Sequence, residues 1–298
     1  MGYKLRPQDP AAEVRKVARQ GIDKAIEALS APVAERAEGI HQARKRFKEL
    51  RALLRLVREP LGGEFKRENQ RLRDLGRALA ESRDATAMLE SWDLLAERFP
   101  GPFAEEGLRK ARRRLRDRAR RGETETSGID QRIVEATAEL QLLRERVEKW
   151  KLAANGFDLF AAGVQRTYAD GCAELAKARL DLSDEQLHQW RKRVKDHWYQ
   201  TRLLAPSWPT LMQLRGDTLK RLADMLGDDH DLAMMQQLKQ RQPELFGEPS
   251  QHERLDVMIA ERRSELQSGA LKIGGELYVV APEQLVARWR RYWNDAQR

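Results

Sequence analysis

The chain has 298 residues, 41% hydrophobic and 35% charged, and its 56 Lys and Arg against 47 Asp and Glu give a formal net charge of +9. That composition supports packed cores and, with a sequence pI near 9.7, favours acidic partners such as nucleic acid, polyphosphate or an anionic surface. No apolar run approaches the roughly 20 residues of a membrane span, Met1-Gly2-Tyr3-Lys4-Leu5-Arg6 lacks the apolar stretch of a secretory signal, and Cys172 stands alone, so no intramolecular disulfide forms. A cytoplasmic protein without membrane contact is expected.

In chain order, residues 10–29, 34–59, 64–98, 103–121 and 128–152 carry apolar positions at three and four spacing and are rich in Ala, Leu, Glu, Arg and Lys. These are helical patterns. Pro32, Pro60-Leu61-Gly62-Gly63, Pro100-Gly101-Pro102 and Gly122-Glu123-Thr124 interrupt them. The second half predicts helices over 157–180, 183–205, 211–240, 250–269 and 282–296, with Ser183 as an N-cap because Gln186 follows three residues on. Leu271-Lys272-Ile273-Gly274-Gly275-Glu276-Leu277-Tyr278-Val279-Val280 suits a tight hairpin or an irregular loop. Trp289, Tyr292 and Trp293, at i, i+3 and i+4, read as the buried face of the last helix. Cys172 reads as a small core residue.

One segment occurs twice. His41-Gln42-Ala43-Arg44-Lys45-Arg46-Phe47-Lys48 returns as His188-Gln189-Trp190-Arg191-Lys192-Arg193-Val194-Lys195, an offset of 147 residues. The same offset relates Leu72 to Leu219, Arg73 to Lys220, Leu75 to Leu222, Leu79 to Leu226 and Asp84 to Asp231. Upstream, Val14 and Gly21 match Val164 and Gly171 at an offset of 150, which places a length difference in the loop around Ser30, Ala31 and Pro32. The chain thus reads as two halves, 1–152 and 153–298, each an antiparallel helical bundle.

In a helix, the cations at i+3, i+4 and i+7 share a face with the histidine at i. On the first copy that face carries His41, Arg44, Lys45, Lys48, Arg51 and Arg55 and extends about 21 Å. On the second it carries His188, Arg191, Lys192, Lys195 and Arg202, while Arg73 and Lys220 hold matching places on the helices that follow. Such stripes suit a long polyanion. By contrast, Arg112-Arg113-Arg114 and Arg116, Arg118, Arg120 and Arg121 encircle their helix and read as solvated surface.

At these residues the chain resembles the CHAD family, the conserved histidine α-helical domain. The resemblance rests on His41 with Arg44, Lys48 and Arg51, and on His188 with Arg191, Lys192, Lys195 and Tyr199. It rests also on the helix ends Ser82-Arg83-Asp84 and Leu226-Gly227-Asp228-Asp229-His230-Asp231. It spans essentially the whole chain. It implies an all-α fold of two pseudo-twofold-related bundles whose histidine-bearing helices line a shared basic groove or pore. It further implies non-enzymatic binding of inorganic polyphosphate, at polyphosphate granules. Three positions depart from the family pattern: Glu49 and Asp196 stand where a further basic residue is common, and Trp198 stands where an arginine is common. Trp198 is read as core rather than as a ring closing the groove. Relatives often carry a CYTH triphosphatase domain with a Glu-x-Glu-x-Lys strand. Glu123-Thr124-Glu125-Thr126-Ser127 lacks the lysine, so no such hydrolase part is expected here.

The residue chemistry agrees with that ligand. Polyphosphate offers charge density and acceptor oxygens but no fixed shape, so repeated cations are the natural answer. Arg supplies a planar fork, Lys a mobile point charge and His a donor whose charge rises beside phosphate. Exposed ion pairs contribute about 0.2–1 kcal/mol each, so both helices are required. No catalytic residue, metal or cofactor is expected. Asp84 and Asp231 read either as carboxylates orienting the basic residues or as bundle-stabilising helix ends. Two other function classes stand beside the first: a nucleic-acid-binding protein, which would need reader motifs beyond Trp190, Trp198 and Tyr199, and a metal-dependent phosphohydrolase acting through Asp228 to Asp231.

Overall fold

The structure is a computed structural model that describes residues 3–80, 84–124 and 128–298, with side chains for all of these except 84–86 and 121–124. Among the described residues the chain is all helical, without a strand.

Local chemistry sets the helix ends. Asp9 accepts from the Ala12 N–H and Pro10 occupies the first helical position, opening α1 (Pro10–Leu29). After α2 (Arg36–Leu56) the chain turns through α3 (Arg58–Leu61) and Gly62, whose φ of 56° suits glycine, into α4 (Gly63–Ala78). Next come α5 (Asp84–Arg98), the short α6 (Pro100–Phe103), α7 (Glu106–Thr124) and α8 (Ile129–Glu148). The second half runs through α9 (Asp158–Ala178), α10 (Asp184–Leu203), α11 (Pro209–Arg241), α12 (Pro249–Leu277) and α13 (Pro282–Asp295). Ser183 caps α10 as its sequence predicts, its hydroxyl accepting from the Gln186 N–H.

Two expectations are corrected. The helical pattern over 64–98 divides into α4 and α5. The Gly274-Gly275 segment is neither hairpin nor loop, because α12 continues to Leu277. Those glycines serve close packing: a Cβ on Gly274 would stand 2.6 Å from Cζ2 of Trp190, and one on Gly275 would meet the Arg179 guanidinium at 3.1 Å. A Gly-Gly pair therefore marks the approach of α12 to its neighbours, and the helix tolerates its lower propensity because the packing repays it.

Two apolar cores hold the helices. The larger gathers Phe47, Leu53 and Leu54 of α2, Phe160 of α9, Trp190 and Val194 of α10, and Trp293 of α13. Trp289 and Trp293 form the buried face of α13. The smaller core joins Trp92 of α5, Phe103 of α6 and Leu108 and Leu115 of α7 to Leu232 and Met235 of α11 and Leu255 and Ile259 of α12. Each core thus draws on residues from both sides of position 152. Cys172 is half-buried against the larger core, and burial pushes its thiol pKa up.

Helix α2 lies at the centre, packed on α1, α4, α9 and α10. Its contact with α9 depends on Gly163, where a Cβ would lie 2.0 Å from the Leu56 carbonyl oxygen. That obstacle is backbone and cannot swing aside. Gly163→Ala is expected to lower stability by about 2–3 kcal/mol, read from the urea midpoint. Unchanged stability would show that the α2–α9 contact is looser than described.

Candidate functional site

The basic helices α2 and α10 meet at two buried acids. Glu49 of α2 is 2% exposed and Asp196 of α10 is 7% exposed. Glu49 accepts from Arg46 on its own helix at 2.7 Å and from Arg202 of α10 at 3.3 Å. Asp196 accepts from Arg55 of α2 at 2.8 Å and lies 3.7 Å from Arg193 on its own helix. The arrangement is reciprocal, since each acid sits between an arginine three residues earlier and one across the crossing. The earlier residue of one helix meets the later residue of the other, so the helices cross antiparallel, centred near Ala52 and Tyr199.

Aromatic rings tighten this crossing. The Arg202 guanidinium lies over Trp198 at 5.1 Å and over Tyr3 at 5.5 Å. Tyr3 donates its hydroxyl to the Glu49 carbonyl at 2.5 Å and meets Tyr199 edge to face. Burial first, then Glu49, pushes the Tyr199 phenol up to about 12. Trp198 packs against the larger core, as its sequence suggests, and also holds Arg202 in place. Arg55 and Arg202, candidates for ligand contact, are thus engaged by acids.

Along α2 the remaining stripe faces α4. Arg44 donates to the Gly76 carbonyl at 2.7 Å, satisfying an orphan group in the last turn of that helix. Arg51 donates to Asn69 at 3.1 Å. Burial, then Arg55, Arg73 and Arg193, lower the Arg51 pKa to about 10, with Asp196 opposing them. Four guanidiniums from α2, α4 and α10 therefore share one neighbourhood. Arg73 is half-buried with its Nε unpartnered by a hydrogen bond and lies 3.7 Å from Asp74. Lys45 and Lys48 are exposed, and His41 is half-buried; His41 and Lys48 also interact with neighbouring groups.

Along α10 the stripe faces α11. The His188 ring stacks on His230 with centroids 4.6 Å apart. Arg191 lies against α11 where Gly227 leaves room. Lys192 is exposed and donates to Gln189 at 3.2 Å, while Lys195 is half-buried and interacts with its surroundings. Lys220 is exposed and pairs with Asp224 at 2.5 Å.

The histidines themselves do not oppose each other. Each precedes the antiparallel crossing by eleven residues, about 16 Å of helix, and the two extend in opposite directions. His188 meets His230 instead.

The acids of α11 divide in role. Asp229, 1% exposed, accepts from Arg263 at 2.9 Å and Gln267 at 2.8 Å, and Arg263 reaches Asp184 at 2.5 Å. This network fastens the start of α10 to α11 and α12. Burial pushes the Asp228 carboxyl up, and Asp228 lines clefts of about 260 and 440 Å³ beside Arg262. Asp231 interacts with neighbouring groups, and the side chain of Asp84, with Ser82 and Arg83, lies outside the described residues. Among the described residues no group of three or more His, Cys, Asp or Glu could hold a metal ion, and no helix is long and apolar enough to cross a membrane.

Sequence reasoning named His230 only as part of a helix end and missed its contact with His188, as it missed the pairing of Glu49 with Arg202 and of Asp196 with Arg55. A signal for the second existed: both acids and both arginines share the offset of the repeat.

The sequence model of the CHAD domain matches residues 9–240. The crystal structure of the CHAD domain from the plant Ricinus communis matches this fold with a TM-score of 0.54 at 16% sequence identity, covering 98% of this chain and 93% of that one. No curated protein matches the sequence.

Proposed function

Because the chain belongs to the CHAD domain family, we propose that it is a non-enzymatic binder of inorganic polyphosphate, held through the cationic faces of α2 and α10 and located at polyphosphate granules. The observation that carries this reading is the gathering of Arg55 of α2, Arg73 of α4 and Arg193 of α10 about Arg51, with Asp196 opposing them; burial first, and then Arg55, hold the Arg51 pKa down to about 10. Cations gathered from three helices repel one another. An anion bound among them relieves that repulsion, so the site is arranged for a ligand of opposite charge.

The antiparallel crossing bears on which anion. Each stripe runs about 16 Å from the crossing to its histidine, and the two together offer a track of up to about 33 Å. A short oligophosphate reaches only part of it. With exposed contacts contributing about 0.2–1 kcal/mol each, strong binding requires a polymer long enough to engage both helices.

Affinity is expected to rise with polyphosphate length until the polymer spans the track, and to fall steeply with salt, as counterion release requires. Fluorescence anisotropy with labelled long-chain polyphosphate measures both. Single-stranded DNA and RNA, competing at equal phosphate concentration, should fail to displace it. Displacement would assign the face to nucleic acid, and absence of polyphosphate binding at low salt would end the proposal.

A further inference from the structure

The positive charge of the chain is concentrated in one helix. Between Glu106 and Arg120, α7 carries eight cations and two acids, a net +6 of the chain's +9. These cations do not encircle the helix, as the sequence suggests. Leu108, Ala111, Leu115 and Ala119, at i, i+3, i+7 and i+11, are buried on one side, the first three in the smaller core. Arg109, Lys110, Arg113, Arg114 and Arg120 are exposed on the remaining surface.

Arg109, Arg113, Arg116 and Arg120, at i, i+4, i+7 and i+11, form a straight row about 16 Å long. Counter-charge is scarce beside it. Glu106 pairs with Arg109 at 3.2 Å and with Arg113 at 2.8 Å, and Asp93 of α5 takes Arg112 at 2.6 and 2.7 Å. Arg114 donates to the Glu244 carbonyl at 2.6 Å, which satisfies a donor without neutralising the charge. Helix α7 packs chiefly on α5, α6 and the Pro243–Leu245 turn, so this ridge is separate from the α2–α10 crossing.

The chemistry of the ridge selects among acidic partners. A basic amphipathic helix binds an anionic membrane by inserting its apolar face, but here that face is consumed by the core. The centre of a protein interface is apolar, and no apolar side chain of α7 is exposed between Glu106 and Arg120. A flexible polymer gains most from cations that enclose it, and a convex ridge encloses nothing. A duplex brings its own rigidity. The phosphates of each strand are fixed at about 3.4 Å of axis apiece, so about five face the row at once. Seven of the eight cations are arginines, whose planar fork matches phosphate oxygens in pairs. Between Glu106 and Arg120 there is no Asn, Gln or aromatic side chain to read a base or stack on one.

We propose that the outer face of α7 is a binding surface for double-stranded nucleic acid, held through its phosphate backbone and indifferent to base sequence. The surface is distinct from the stripes of α2 and α10, so a duplex does not compete with an anion bound there. The proposal stands or falls independently of the polyphosphate reading.

The test is fluorescence anisotropy of the full chain with labelled duplex DNA and, in parallel, duplex RNA, across a range of salt. Arg109→Gln, Lys110→Gln, Arg113→Gln and Arg120→Gln together should weaken duplex binding by about a hundredfold at low salt and make the slope of log affinity against log salt shallower by about 3–4. Lys45→Gln, Lys48→Gln, Lys192→Gln and Lys195→Gln together bring the same net charge, and should weaken it by no more than about fivefold. In the unaltered protein, bound duplex should shield Lys110 from acetylation and leave Lys45 and Lys192 reactive, which needs no substitution. Tighter binding of one duplex than the other names the source of the phosphates, and equal binding means that the backbone alone is recognised. Equal losses in the two variants would assign the effect to overall charge and overturn the proposal. So would a single strand that binds as tightly as the duplex, a loss of polyphosphate affinity in the α7 variant as large as its loss of duplex affinity, or binding of anionic lipid vesicles through the same residues without any duplex binding.

Discussion

Replacing Glu49 and Asp196 together by alanine is expected to lower folding stability by about 4 kcal/mol and to tighten polyphosphate binding by about tenfold. The two effects have one origin. Each acid is nearly buried and accepts from or lies beside two arginines, one of them across the α2–α10 crossing. Removing the acids leaves Arg55 and Arg202 facing each other's helix without a counter-charge. Breaking a fully buried pair costs about 3–5 kcal/mol, but the side chains of Arg55 and Arg202 remain 21% and 36% exposed. Solvent therefore screens part of the loss, and about 2 kcal/mol per acid is the appropriate scale. The same four arginines then become available to an anion. Urea unfolding and anisotropy at fixed salt give the two quantities. A variant that keeps its stability, or that loses affinity for polyphosphate while folded, would show that the acids are not the neutralising centre of this face.

The family pattern treats Glu49 and Asp196 as lapses in a basic series, and a reading confined to one helix has no reason to disagree. A charge at i+8 on an isolated basic helix says nothing about its partner. Only the antiparallel crossing shows that Glu49 answers Arg202 and Asp196 answers Arg55. Two acids among so many cations thus make the close approach of the basic helices possible.

What could be read from the sequence follows the same division between local and distant causes. Apolar spacing and capping are local, so the helices around 10–29, 157–180, 183–205 and 282–296 agree with α1, α9, α10 and α13 to within a few residues. Ser183 could be recognised as a cap because its partner Gln186 is three residues away. Gly274-Gly275 misled because a glycine pair fits a turn as well as a tight helix contact, and the deciding atom belongs to Trp190, eighty-four residues earlier. The docking of α5, α6 and α7 onto α11 and α12 depends on Trp92 meeting both Phe103 and Phe246, the latter in the link between α11 and α12, and no periodicity announces it. For the candidate site, the repeated cations were visible as a pattern. Their orientation was not, since the opposite directions of the His41 and His188 stripes are set by where α2 and α10 cross.

Charge reversal of Lys45, Lys48, Lys192 and Lys195 to glutamate should weaken polyphosphate binding by about a thousandfold at low salt. Three of these side chains are exposed and the fourth is half-buried, so the substitutions leave both cores untouched and the helical circular dichroism should persist. Each change removes an attraction and introduces a repulsion. At about 1 kcal/mol apiece the four together approach 4 kcal/mol, which is about three powers of ten in affinity. At physiological ionic strength the loss should shrink, because exposed charges beyond about 8 Å are screened. Four reversals also take the net charge from +9 to +1, and a global loss of charge would itself weaken a polyanion. A matched variant with Lys4, Lys110, Lys151 and Lys272 reversed carries the same net charge and removes cations outside the two stripes. Its affinity should fall by no more than about tenfold. Equal losses in the two variants would mean that polyphosphate responds to the protein's overall charge, and the crossed stripes of α2 and α10 would then have no special part in holding it.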